Sequence, residues 1–163
     1  MIVVEPYETK NVREAISIWN EIVREGIAFP QEDELDETTG DAFFKSQSFT
    51  GLAVDADNGE ILALYILHPN NVGRCAHISN ASYAVRSDVR GRHIGEFIVK
   101  DCISRAKSLG FRILQFNAVV ATNIHARHLY KRLGFKELGI IPGGFRMPDG
   151  SFADIVPQFI GLV

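Results

Sequence analysis

Between Val85 and Gly95 the chain reads Val-Arg-Ser-Asp-Val-Arg-Gly-Arg-His-Ile-Gly: the end of a strand, a basic turn, and the first turn of a helix. Backbone N–H groups at a helix start have no partner within the helix, and the aligned peptide dipoles favour negative charge there. Such a turn suits a phosphate. Gly91 and Gly95 let the backbone approach a ligand closely, and Arg90 and Arg92 add charge where phosphate oxygens would lie. The chemistry implied is the seating of a pyrophosphate. Two amides, Asn80 and Asn117, stand in apolar stretches that read as central strands, where an unpaired amide is costly. Asn117 shares its strand face with Ile113, Gln115 and Val119. Each amide is a satisfied structural group, part of a bulge that re-aims the backbone, or a lining of a cleft that holds a substrate's carboxylate or amine.

The elements that must position these groups follow from pattern. Ile2 to Glu5 reads as a strand closed by Pro6, and Asn11 as the cap of a helix, with Glu14 placed for a capping box. Apolar residues at Val12, Ala15, Ile16, Trp19, Ile22 and Val23 give that helix one buried face, ending at Gly26. Residues 27 to 40 are acidic and unpatterned and read as a mobile loop, before a short helix around Asp41 to Ser46. Strands at Phe49–Val54 and Ile61–Leu67 flank the hairpin signal Asp57-Asn58-Gly59. A strand from about Ala76 to Val85 leads into the basic turn. Ile94, Phe97, Ile98, Cys102, Ala106 and Leu109 then mark a helix face that stops at Gly110. A strand at Arg112–Val120, a helix from Asn123 to Leu133, and strands at Phe135–Ile141 and Phe152–Phe159 complete the chain. Pro142-Gly143-Gly144 and Pro148-Asp149-Gly150 read as turns between the last two strands. Hairpins mixed with crossover helices imply an α/β (α+β) domain spanning 1–163, with one mixed, mostly antiparallel twisted sheet covered by helices.

Two motifs give the turn a context. Arg90-Gly91-Arg92-His93-Ile94-Gly95 resembles the acetyl-CoA pyrophosphate loop of the GNAT N-acetyltransferases, Arg/Gln-x-x-Gly-x-Gly/Ala. Asn123-Ile124-His125-Ala126-Arg127-His128-Leu129-Tyr130, followed by Leu133-Gly134-Phe135, resembles that superfamily's Asn-x-x-Ala-x-x-Leu-Tyr and Leu-Gly-Phe signature. The pattern is broken at His93, which stands in place of the loop's middle glycine. The resemblance runs along essentially the whole chain. It implies two central parallel strands, near 76–85 and 112–120, that splay at their C-terminal ends. The pantetheine arm of acetyl-CoA would lie in the notch, along the free edge of the first strand at Ala84 and Val85. Binding at the C-terminal ends of parallel strands is expected on general grounds too. The resemblance further implies that Tyr130 brings its hydroxyl near the thioester sulfur as the acid, and that Asn123 bonds the pantetheine or acetyl region. Both residues also have a bland reading: Tyr130 lies on its helix's apolar face with Ala126, Leu129 and Leu133, and asparagine is a good N-cap.

Acetyl transfer to an amine requires a polarised carbonyl, a neutral amine and help for the departing thiolate. An alkyl amine with a pKa near ~10 is mostly protonated at neutral pH, so losing that proton is the harder step. No base declares itself. Many relatives carry a glutamate on the strand before the phosphate loop, and this chain has none between Glu60 and Glu96. His77 is the nearest titratable group on that strand, and Glu21 and Glu25 on the first helix either reach the notch through water or lie on that helix's solvated face. The flanks Cys75–Ala81 and Phe116–Asn123 resemble the fungal azetidine-2-carboxylate acetyltransferases, and Ile18–Val23 through Phe29 resembles the phosphinothricin acetyltransferase group. Both point to a small amino acid or analogue as acceptor. Peptide or protein N-termini, or a non-catalytic acyl-CoA sensor, are the alternatives.

Composition narrows the partners. A net charge of −3 over 163 residues gives no general attraction to nucleic acid or anionic membranes. The positive charge is local, around Arg86–Arg92 and Arg127–Arg132, which suits a small polyanion. Two cysteines without ligand spacing suggest a reducing, cytoplasmic setting and no metal. His125 and His128 lack a third ligand. No signal peptide or spanning segment is read, no Gly-x-Ser-x-Gly, Walker or Rossmann fingerprint appears, and a homodimer is left open.

Overall fold

The computed structural model describes every residue from Met1 to Val163. Strand β1 (Ile2–Pro6) is followed by helices α1 (Val12–Glu25) and α2 (Glu37–Ser46) and strands β2 (Phe49–Asp55), β3 (Ile61–Pro69) and β4 (Ile78–Val85). Helix α3 (Ile94–Ser108), strand β5 (Ile113–Val120) and helix α4 (Ile124–Arg132) come next, then β6 (Lys136–Glu137), β7 (Ile141–Arg146) and β8 (Phe152–Gly161). All the strands join one sheet in the order β1-β2-β3-β4-β5-β8-β6, with β7 also paired to β8. Every pairing is antiparallel except that of β4 with β5. The mixed, mostly antiparallel α/β sheet expected from the order of elements is therefore present.

The sheet separates two apolar layers. Trp19, Ile22 and Phe44 of α1 and α2 pack with Leu64, Ile66 and Ala84 on one face. Ile94, Ile98 and Cys102 of α3 pack with Tyr65, Leu67, Leu114 and Phe116 on the other. Successive residues of β3 thus serve both layers, which is why Ile61–Leu67 is apolar without alternation. No helix is long and apolar enough to cross a membrane.

Four local expectations need correction. Asn11 does precede α1, but its side chain accepts from Glu8 N at 3.0 Å, closing the preceding 3-10 turn rather than a box with Glu14. The box forms instead at α2, where Asp36 accepts from Thr39 N and Thr39 Oγ1 accepts from Asp36 N. That cap starts α2 at Glu37, so the loop read as 27 to 40 ends a turn earlier. At the C-terminal end, Pro142-Gly143-Gly144 lies inside β7, and the stretch read as one strand from Phe135 reduces to two-residue β6. Gly144 is needed there because a Cβ would meet Ile155 Cγ1 at 2.4 Å, so close approach to the paired strand β8, not a turn, explains that glycine. Finally, β4 begins at Ile78, leaving Ala76 and His77 in the preceding turn.

Candidate functional site

Strands β4 and β5 pair in register only at Ile78↔Ile113 and Ser79↔Leu114. Side chains then take over from the ladder: Ser79 Oγ donates to Ile113 O at 2.8 Å and Asn80 Nδ2 to Gln115 O at 2.9 Å. Seating an amide between two backbones wedges them apart while keeping the carbonyl satisfied. On the far side of β5, the pairing with β8 slips between Phe116 and Val119, so Asn117 and Ala118 bulge opposite Pro157. A proline has no N–H to give a ladder, which locates the bulge. The outcome is a notch between two diverging strands.

A cavity of about 320 Å³ occupies the notch. Its wall includes Asn80, Tyr83, Phe116, Asn117, Asn123 and Tyr130, and the loop Ile27–Gln31 closes one side. The phenol of Tyr130 has no hydrogen-bond partner in the chain; its ring packs 4.7 Å from that of Phe116 and 5.5 Å from that of Phe135. Burial, and then the nearby Cys102 thiol, push its pKa well above that of a free phenol, so it stays protonated and can donate. Tyr83 is shifted the same way, chiefly by burial, and its hydroxyl is buried without a partner. Asn123 caps α4 by accepting from Ala126 N at 3.2 Å, which leaves its Nδ2 free beside the cavity. Asn80 keeps its Oδ1 unengaged. Asn117 is tied into an amide chain, accepting from Gln115 Nε2 at 3.1 Å and donating to Asn70 Oδ1 at 2.7 Å.

The basic loop Arg90–Gly95 follows the end of β4. From Gly91 to Glu96 the backbone N–H groups find no acceptor within the chain. His93 adopts the left-handed conformation, φ 60°, the one non-glycine residue to do so. A glycine would hold that conformation without strain; His93 holds it at a strain of about 1–2 kcal/mol. A Cβ on Gly91 would meet nothing within 4 Å, and one on Gly95 only Val85 Cγ2 at 3.9 Å, so open space lies beside these N–H groups. The donors, the space and an unpaired Arg92 fit a pyrophosphate. Beyond Ser79 the edge of β4 that includes Ala84 and Val85 has no strand partner on the β5 side.

Sequence reasoning left Glu21 and Glu25 on a solvated face. Both instead brace the loop: Glu21 Oε1 accepts from Ser87 N at 2.7 Å, and Glu25 pairs with Arg90 at 2.7 Å. Arg90 is thereby committed to α1. His77, the nearest titratable group by sequence, is exposed in its turn and lies outside the cavity wall. The histidine that does line the cavity is His68, at the end of β3.

Comparison with known proteins agrees with this architecture. Residues 15–135 match the model of the acetyltransferase (GNAT) family. The chain is 36% identical over 87 residues to N-acetyltransferase aca1 of Schizosaccharomyces pombe, a match covering 53% of this chain and 42% of that protein. It thus spans less than half the length of that curated relative. A GCN5-related N-acetyltransferase from Kribbella flavida superposes with a TM-score of 0.89 at 32% identity, covering 98% of this chain and 97% of that one. A GNAT phosphinothricin acetyltransferase from Sinorhizobium meliloti in complex with AcCoA superposes with a TM-score of 0.89 at 18% identity, covering 98% and 88%. The chain belongs to the GNAT acetyltransferase family.

Proposed function

We propose that this chain transfers the acetyl group of acetyl-CoA to the amine of a small molecule, an amino acid or amino-acid analogue. The observation that carries the reading is a notch between phosphate-ready N–H groups and a small cavity walled by amides and phenols, with no carboxylate among its lining residues. When bound, acetyl-CoA supplies an acyl group activated by a thiol leaving group, whose ordinary pKa is about 8.5. The N–H groups of Gly91 to Glu96, with Arg92, hold the pyrophosphate, and the open edge of β4 at Ala84 and Val85 holds the pantetheine amides. Tyr130 gives its proton to the departing sulfur. Asn123 Nδ2 orients the acyl end, and Asn80 and Asn117 orient the acceptor.

The choice of acceptor rests on charge. A polyamine would seek a carboxylate for its second ammonium, and the cavity wall offers none. Amides can hold an amino acid's carboxylate without adding a charge. The acidic segment around Gln31–Glu37 gives little support for a cationic peptide, because Glu32, Glu34 and Glu37 pair with Arg146, Arg24 and Arg13 and Asp36 caps α2. Free-thiol release from acetyl-CoA, measured with amino acids, antibiotics, polyamines and peptides as acceptors, tests the reading. Turnover with amino acids supports it. Turnover confined to peptides would transfer the chain to N-terminal acetylation, and tight CoA binding without turnover would make it a sensor.

A further inference from the structure

The residues that wall the cavity present a chemical gap: donors for the leaving group, but no carboxylate to take the acceptor's proton. Both tyrosines of the wall are held protonated by burial. One remaining side chain of the wall carries a basic nitrogen, the imidazole of His68. It stands opposite Asn80 in the β3–β4 register, so both side chains leave the sheet on one face at neighbouring positions. Its Nδ1 lies 2.9 Å from the carbonyl oxygen of Pro69. A carbonyl can only accept, so that contact places the ring's proton on Nδ1 and leaves the lone pair on Nε2. Asn80 and Asn117, the groups proposed above to orient the acceptor, line the same cavity.

We propose that His68 is the general base that removes the ammonium proton of the acceptor. This rests on the acetyltransferase reading above. The ammonium gives one proton to Nε2, and the freed lone pair forms the C–N bond to the acetyl carbon while the C–S bond breaks. The sulfur takes the proton of Tyr130. The proton left on the new amide nitrogen's precursor returns through solvent to the tyrosine oxygen, and His68 releases its own proton to water. One proton is released for each acetyl group transferred, as the conversion of an ammonium and a thioester to an amide and a thiol requires. The titratable groups of the cavity wall are His68, Tyr83 and Tyr130, so no carboxylate competes for the base's role.

The test uses His68→Asn, which keeps a polar side chain and removes the base, with the best acceptor from the amine panel. At pH 7, kcat/KM for that acceptor should fall about 100-fold, the usual scale of general-base assistance. The loss should shrink toward pH 9.5, where more of the amine is already neutral, and the KM for acetyl-CoA should stay within about twofold. Imidazole added to His68→Ala should restore part of the rate. Nitrogen-15 spectra of the unliganded wild-type protein should show His68, when neutral, carrying its proton on Nδ1. A loss that is the same at every pH, or a neutral ring protonated on Nε2, overturns the role of His68 alone. Absence of turnover with every amine overturns the acetyltransferase reading and the base with it.

Discussion

Replacing Gly95 with aspartate should separate ligand binding from folding. Gly95 is the second residue of α3, and its backbone is not in a left-handed conformation. A Cβ there meets only Val85 Cγ2 at 3.9 Å, an ordinary contact. The fold therefore admits the side chain. A carboxylate in the first turn also faces the positive end of the helix, a gain of about 0.3–1 kcal/mol, so the melting temperature should hold or rise. Ligand binding should move the other way. Against a phosphate at roughly 5 Å, the added charge costs about 0.8 kcal/mol at the dielectric of water and about 3 kcal/mol at an effective value of ~20. The carboxylate also accepts from the N–H groups that the phosphate needs. A fall in CoA affinity of at least tenfold, about 1.4 kcal/mol, is expected. Calorimetric titration with CoA at low and high salt measures it, and screening should shrink the charge component. An unchanged Kd at low salt would refute the placement of the pyrophosphate on this turn.

Other changes test the remaining parts. Tyr130→Phe keeps the ring packed on Phe116 and Phe135 and removes only the donor, so kcat should drop about 10- to 100-fold with little change in stability; a kcat within about twofold, with chemistry rate-limiting, makes Tyr130 a packing residue alone. Asn80→Leu strands the carbonyl of Gln115 and should cost about 1–3 kcal/mol of stability in addition to raising the acceptor KM. Asn117→Leu, in a more exposed amide chain, should raise the acceptor KM roughly 10-fold or more with a smaller loss of stability, and denaturation with an unmoved acceptor KM rejects the substrate role. Burial pushes the Cys102 thiol up to about 12. The folded state therefore holds that proton where the unfolded chain releases it, so stability is intact below pH ~8.5 and falls as pH rises from there toward 12, by up to about 1.4 kcal/mol per unit. Urea titrations between pH 8 and 10 should show that slope in the wild type and a flatter one in Cys102→Ala.

The parts of the fold that could be read from sequence are those fixed by short-range rules. Asp57-Asn58-Gly59 set a hairpin, the glycines at 26 and 110 stopped helices, and periodicity located α1, α3 and α4. Errors arose where a local signal had a tertiary cause. Asn11 had two partners within reach and bonds back to Glu8 rather than forward along α1. Pro142-Gly143-Gly144 carries turn residues, yet the small residue at 144 is demanded by Ile155 across the sheet, a neighbour no local window contains. The acidic run hid a helix start because Asp36 was counted as one more charge instead of as the cap for Thr39.

The two halves of the site differ in the same way, and this bears on how such a site can change. The proposed phosphate half is one continuous segment, so its residues were legible as a motif, with His93 in a left-handed backbone conformation. What lay hidden was its support, Glu21 and Glu25, because nothing in α1 signals a partner more than sixty residues away. The proposed acceptor half is assembled from β3, β4, β5, the start of α4 and the loop before α2. Its register depends on a connection from Pro69 to Ile78 too long for hairpin rules, so His68 was invisible although both strands around it were placed. Asn80 bridges β4 to β5 and lines the cavity proposed for the acceptor, so substitutions there should couple stability to specificity. Residues 27–31 belong to no helix or strand and line the same cavity. Apart from Phe29, which packs on Trp19 in the core, they can vary at little cost to the sheet, so acceptor preference should shift more readily through that loop than through Asn80.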